Sequence, residues 1–166
     1  MKKNIVIVGF LGELNDRVCK KLSDDLNMFY ANIADMVAYE LSCADEMITT
    51  CGLDYYQEQE EKVLKRLSTF EDTIFCFGYQ YFESFAKKYF SKTCHMIYLK
   101  VPQQKIEKQI EKNNNIETWS SAIDVIDFDQ RNQNLEKLSD VVIECDRLNV
   151  QSYCKKVREY LKSLYM

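Results

Sequence analysis

Ile5-Val6-Ile7-Val8 is an unbroken run of β-branched residues that stops at Gly9. A strand exposed on one face alternates apolar and polar residues. An unbroken run marks a strand covered on both faces, as in a parallel sheet with helices above and below. After the turn Gly9-Phe10-Leu11-Gly12, the residues Val18, Leu22 and Leu26 recur at helical spacing among Lys and Asp. Strand, glycine turn and amphipathic helix thus open the chain. The pattern repeats, with strands expected at Met28–Tyr30, Thr73–Phe77, His95–Leu99 and Val141–Glu144. Helices are expected at Met36–Glu46, Tyr55–Leu67, Tyr81–Phe90, Gln103–Lys112, Gln130–Lys137 and Val150–Leu164, with Pro102 in the first turn of the fourth of these. The expected fold class is α/β, a three-layer α/β/α domain spanning 1–166 around a mostly parallel, five-stranded sheet. Residues 113–130 interrupt the periodicity and are read as a lid insertion carrying Trp119.

Composition narrows the function. With 22 basic and 26 acidic residues the net charge is −4, and clustered cations for nucleic-acid phosphates are missing. No apolar run approaches the 18 residues of a membrane span, and the apolar start is too short for a signal peptide. Seven cysteines without CxxC spacing, beside the single His95, disfavour a metal site and fit reduced, mostly buried thiols. A cytoplasmic protein is expected, with neither nucleic acid nor membrane as partner. Cys94 and His95 are neighbours on an expected strand, so their side chains point to opposite faces and do not form a nucleophilic pair.

In a parallel α/β sheet, ligands bind at the carboxyl ends of the strands. The loop there reads Gly9-Phe10-Leu11-Gly12-Glu13-Leu14-Asn15-Asp16. Against the phosphate-loop pattern GxxxxGK[ST], Gly9 fits, but Leu14, Asn15 and Asp16 stand where glycine, lysine and the metal-binding hydroxyl belong. Glu13 or Asp16 is expected to cap the helix instead. Arg17, two positions beyond the missing lysine, is expected at the surface.

GFLGELNDRVC resembles the opening GFMGSGKSTVG of shikimate kinases, members of the P-loop kinases, with Gly9, Phe10, Gly12 and Val18 in place. Tyr98-Leu99-Lys100 is similar to that family's fourth strand, and Arg131-Asn132 with Leu135 to Val142 to its segment RNPLYxExAD. The resemblance implies a shikimate-kinase-like fold and assigns roles by position. Gly9, Gly12, Asn15 and Asp16 take the nucleotide-loop places. Gln57, Glu60, Gly78 and Arg131 take substrate-site places, and Trp119 lies in the lid. Several defining groups are replaced. Ala31 and Ile33 stand for an Asp-x-Asp pair, with Asp35 two residues on. Gln57 stands for the arginine that grips the shikimate carboxylate. Phe77-Gly78-Tyr79 stands for a triple glycine. The lid has no Lys or Arg but holds Glu117, Asp124, Asp127 and Asp129. The leading expectation is a catalytically inactive relative kept as a binding or regulatory module for a small molecule or protein, with no cofactor and no metal. An active kinase of shikimate or another small hydroxylated metabolite, using Mg-ATP through a rewired site, is the first alternative. A structural partner of a true kinase is the second. The aromatic residues Tyr55, Tyr56, Tyr79, Tyr81 and Phe82 near the expected cleft fill the core or line a pocket.

Overall fold

A computed structural model gives the fold, and the structure describes residues 4–78, 81–113 and 128–166. The elements run β1 (Asn4–Val8), α1 (Gly12–Leu26), β2 (Phe29–Asn32), α2 (Ile33–Glu40), α3 (Ala44–Cys51), α4 (Leu53–Leu67), β3 (Thr73–Phe77), α5 (Phe82–Phe90), β4 (Cys94–Lys100), α6 (Gln103–Asn113), α7 (Phe128–Leu138), β5 (Val141–Glu144) and α8 (Val150–Ser163). The strands form one sheet in the order β2-β3-β1-β4-β5, with every neighbouring pair parallel. β1 and β3 are buried along their whole length, which is why both read as unbroken apolar runs. α1 packs against α8, while α4 packs against α2, α3 and α5, so helices cover the sheet.

Local chemistry explains where the elements depart from expectation. The expected helix at Met36–Glu46 is two helices. Asn32 starts α2 early by accepting the Asp35 N–H at 3.1 Å. The helix then stops at Leu41, which is 9% exposed and anchored in the core, before Ser42 and Cys43. β2 lies one residue later than expected and extends to Asn32. α4 starts at Leu53 rather than Tyr55, because Gly52 turns the chain at φ 90°, a conformation costly for other residues. The helix expected at Tyr81–Phe90 is present as α5 but wound with π-type bonds, closing with Ser91 N–H to Ala86 O at 3.1 Å. Its Phe82 and Phe90 both meet Phe77 edge to face, with centroids 6.2 and 4.9 Å apart. Pro102 precedes α6 instead of occupying its first turn, and its carbonyl accepts from Lys105 and Ile106. The end of the expected lid, Phe128 to Gln130, is already helical in α7. Asn113, at its start, ends α6, and residues 114–127, with Trp119, Glu117, Asp124 and Asp127, lie outside the described residues, as does Tyr79.

Five cysteines are buried, whereas Cys43 and Cys51 are exposed. Burial pushes the Cys19 thiol well up, so it behaves as a packed, inert group. Among the described residues no helix is long and apolar enough to cross a membrane.

α8 is capped by Asn149, whose side chain accepts from Gln151 N–H at 2.8 Å and Ser152 N–H at 3.4 Å. Asn149→Ala is expected to cost about 1 kcal/mol of stability, read as a lower denaturation midpoint at unchanged slope.

Candidate functional site

β1 sits at the middle of the sheet, with β3 on one side and β4 on the other. Its carboxyl end is therefore the switch point where a crevice forms in folds of this type. The loop leaving it is tightly packed. Phe10 and Leu11 are each 8% exposed, and the Phe10 ring lies 4.8 Å from that of Phe128 and 6.3 Å from that of Tyr98. Gly9 is required by space. A Cβ there would lie 2.8 Å from the Leu99 carbonyl oxygen and 2.8 Å from Asn15 Oδ1. At Gly12 and Gly78 a Cβ would meet nothing within 4 Å, so packing does not demand glycine at either.

Asn15, in the lysine position of the phosphate-loop pattern, is 1% exposed. Its Nδ2 donates to the Gly9 carbonyl at 2.9 Å, folding the side chain back beneath the loop. Its Oδ1 is buried and has no hydrogen-bond partner among the described residues. The expected capping bond from Glu13 or Asp16 is not found among the described residues: the flanking residue is Leu11, which makes no side-chain cap, and Glu13 lies in the first turn of α1. Asp16 turns instead toward β2. It accepts from the Tyr30 hydroxyl, from Asn32 Nδ2 at 3.4 Å, and from Lys20 Nζ at 2.7 Å. Partial burial pushes the Asp16 carboxyl up, but the bonds from Lys20, Tyr30 and Asn32 and the Lys20 charge outweigh this and hold it below its ordinary value. Burial, then the bond to Asp16, pushes the Tyr30 phenol well up. Asp16 is therefore an ionised carboxylate already served by one cation and two polar hydrogens.

The remaining expected positions divide. Gln57 and Glu60 come together on α4, where with Asp54, Glu58, Glu61, Tyr81 and Phe85 they line an open cleft of about 710 Å³. Burial pushes the Glu60 carboxyl up, partly offset by a hydrogen bond with Tyr81. Glu58 pairs with Lys62 at 3.0 Å, and Glu61 pairs with Lys88. Gly78 and Arg131 are not among the residues lining this cleft. The Gly78 carbonyl accepts from Tyr81 N–H at 3.3 Å and Phe82 N–H at 3.2 Å and so launches α5. Ala31 and Ile33 are buried. Asp35 is exposed in the first turn of α2, and Arg17 is exposed on α1 as expected. Among the described residues no group of three or more His, Cys, Asp or Glu is placed to hold a metal ion.

Sequence reasoning missed Tyr30, Asn32 and Lys20, which decide what Asp16 does. Lys20 was findable, since an acid and a base four residues apart on a helix pair routinely. Tyr30 and Asn32 reach Asp16 only through the packing of β2 beside α1, and no local signal marks them.

A family model described as Shikimate kinase matches residues 17–162. Solved structures agree in fold. The shikimate kinase of Aquifex aeolicus superposes with a TM-score of 0.78 at 17% identity, covering 98% of both chains. That of Acinetobacter baumannii, in complex with shikimate, gives 0.74 at 15% identity over 98% of this chain and 94% of the other. That of Bacteroides thetaiotaomicron gives 0.71 at 17% identity over 96% and 98%. No curated protein matches the sequence. The family match covers most of the chain, and the central parallel sheet with its β1–α1 loop is the architecture that those kinases share: the chain belongs to the shikimate kinase family.

Proposed function

We propose that this chain is a catalytically silent member of its family, kept in the cytoplasm as a binding or regulatory module. The observation that carries this reading is Asn15, which is 1% exposed and bonded to the Gly9 carbonyl where a phosphate loop presents its lysine. A phosphate loop works through backbone N–H groups at a helix start, a lysine charge on the phosphates and a hydroxyl on magnesium. Here the lysine position is neutral and turned inward. The hydroxyl position is the carboxylate of Asp16, committed to Lys20, Tyr30 and Asn32. The Mg-ATP that the family implies does not fit this donor set. The Asp16 carboxylate is already balanced by Lys20 at 2.7 Å, and the loop offers no lysine of its own to meet the phosphates. At the substrate end, Gln57 has no charge to pair with a carboxylate ligand, and no Lys or Arg is among the residues lining its cleft.

An active kinase with a rewired site is the second reading. The uncapped N-terminus of α1, which can still receive an anion, favours it.

A thermal-shift titration separates the two. Mg-ATP, ADP and shikimate, each alone and in pairs at millimolar concentration, are expected to leave Tm unchanged, and no ADP is expected to form. A ligand at 100 times its Kd stabilises by about 2.7 kcal/mol, which for a chain of this size raises Tm by roughly 5–10 °C. ADP formation overturns the silent reading, and a rise of that size with Mg-ATP overturns the reading that the loop takes no nucleotide.

A further inference from the structure

We infer that the open edge of β2 is a docking site for an extended, basic peptide segment of another protein, added as a sixth strand. This inference is independent of whether the β1–α1 loop takes nucleotide.

Among the described residues β2 ends the sheet, with β3 on one side and no strand on the other. Phe29 N–H donates to the Asp72 carbonyl at 2.8 Å, so the backbone groups of Phe29 face β3. Alternate residues of a strand turn their backbone groups to opposite sides, so the N–H and C=O of Tyr30 point to the open side. Side chains alternate as well. The Tyr30 hydroxyl reaches Asp16 on α1. Phe29 and Ala31 alternate with Tyr30, and all three strand residues, with Met36, Phe70 and Thr73, line a groove of about 430 Å³. Phe29 is 74% exposed and Phe70 is 40% exposed, so two rings are uncovered along one groove. Proteins usually guard such an edge with Lys, Pro or a bulge. Phe29-Tyr30-Ala31-Asn32 has no Lys or Pro, and its short length is its main protection.

Charge decides the occupant. Glu71 lines the groove, Asp72 follows it, and Asp35 lies just past the strand in the first turn of α2. All three are exposed, and none is in an ion pair among the described residues. The cation beside the strand, Lys20, is held by Asp16. A strand that places apolar side chains in the groove and Lys or Arg on its flanks completes both the hydrogen bonding and the charge. A second copy of this chain would set the same three acids against their own kind, so self-pairing is disfavoured.

The test uses the full chain and a fluorescein-labelled hexapeptide of alternating valine and lysine, followed by fluorescence anisotropy. Binding is expected with a Kd of about 10–100 μM at low salt. It should weaken at least about tenfold in Phe29→Ser and in Glu71→Lys/Asp72→Lys, with Tm of each variant measured to show that it folds. It should weaken similarly toward about 0.15 M salt. A peptide with its central valine replaced by proline, which lacks the N–H a strand needs, should bind at least about tenfold more weakly. Equal binding of the proline peptide or of a valine–glutamate peptide overturns the proposal, as does unchanged binding in both variants. A dimer in light scattering that Phe29→Ser dissolves also overturns it, because a second copy then covers the groove.

Discussion

Asn15→Asp is expected to destabilise the protein at neutral pH and to leave it nearly unchanged in acid. Asn15 is 1% exposed and its Nδ2 donates to the Gly9 carbonyl at 2.9 Å. The substitution puts a carboxylate against that carbonyl and removes the donor. An uncompensated buried charge costs about 3–5 kcal/mol. The uncapped start of α1 returns at most about 2 kcal/mol through its dipole. The net loss near pH 7 is about 2 kcal/mol, a fall in Tm of roughly 4–8 °C. The sign with pH follows from linkage. Burial raises the folded-state pKa of the new carboxyl above its unfolded value, so the folded state favours the protonated form. Stability relative to wild type is therefore kept below the unfolded pKa and lost as pH rises through the folded pKa. A neutral carboxylic acid can also donate its O–H to the Gly9 carbonyl and restore the bond. Chemical denaturation across the acid-to-neutral range measures this directly. A variant as stable as wild type at pH 7 would mean that the side chain at 15 stands in solvent over the loop, and the silent-kinase reading would lose its main support.

Gly9→Ala is expected to have the larger effect on stability alone. The added Cβ would lie 2.8 Å from the Leu99 carbonyl oxygen and from Asn15 Oδ1, closer than real Cβ contacts come. Asn15 can adjust, but Leu99 lies within the paired strand β4 and its backbone cannot retreat without disturbing the sheet. Overpacking of this kind costs about 1–3 kcal/mol, with the upper end expected against backbone. Gly12→Ala is the matched control. Space around Gly12 is open, it is the first residue of α1, and alanine there should be neutral or stabilise by up to about 1 kcal/mol. In a working phosphate loop the glycines at the first and sixth positions serve the approach of phosphate, and Gly12 is at neither. Here one glycine serves packing and the other carries only the family resemblance. Equal losses in the two variants would show that the loop is not packed as described.

The sheet was legible because its signal is local and redundant. Ile5 to Val8 and Thr73 to Phe77 are apolar on both faces, and only burial in a helix-covered parallel sheet satisfies that pattern. Helix boundaries were less legible, because caps and anchors compete with periodicity. Asn32 starts α2 ahead of the apolar pattern, and Leu41 ends it by docking in the core. At the candidate site, the loss of lysine and hydroxyl could be read from the letters at 15 and 16. What replaced them could not. Asp16 looked like a cap because acids near helix starts commonly are, yet Lys20, Tyr30 and Asn32 offer it three partners elsewhere.

The sequence alone therefore determined the α/β class, the family and that neither lysine nor hydroxyl stands at positions 15 and 16. Each rests on residue identity at short spacing, which survives without knowing what lies opposite. Only the tertiary structure decided that Asn15 turns inward to Gly9, that Asp16 is committed to β2, that Gln57 and Glu60 share an acidic cleft while Gly78 and Arg131 do not line it, and that Phe29 and Phe70 line one groove beside the open edge. Those facts depend on contacts between elements that the chain brings together only on folding. A side chain's direction is set by the partner that lowers its energy most, and the linear order of residues does not say which partner will be within reach.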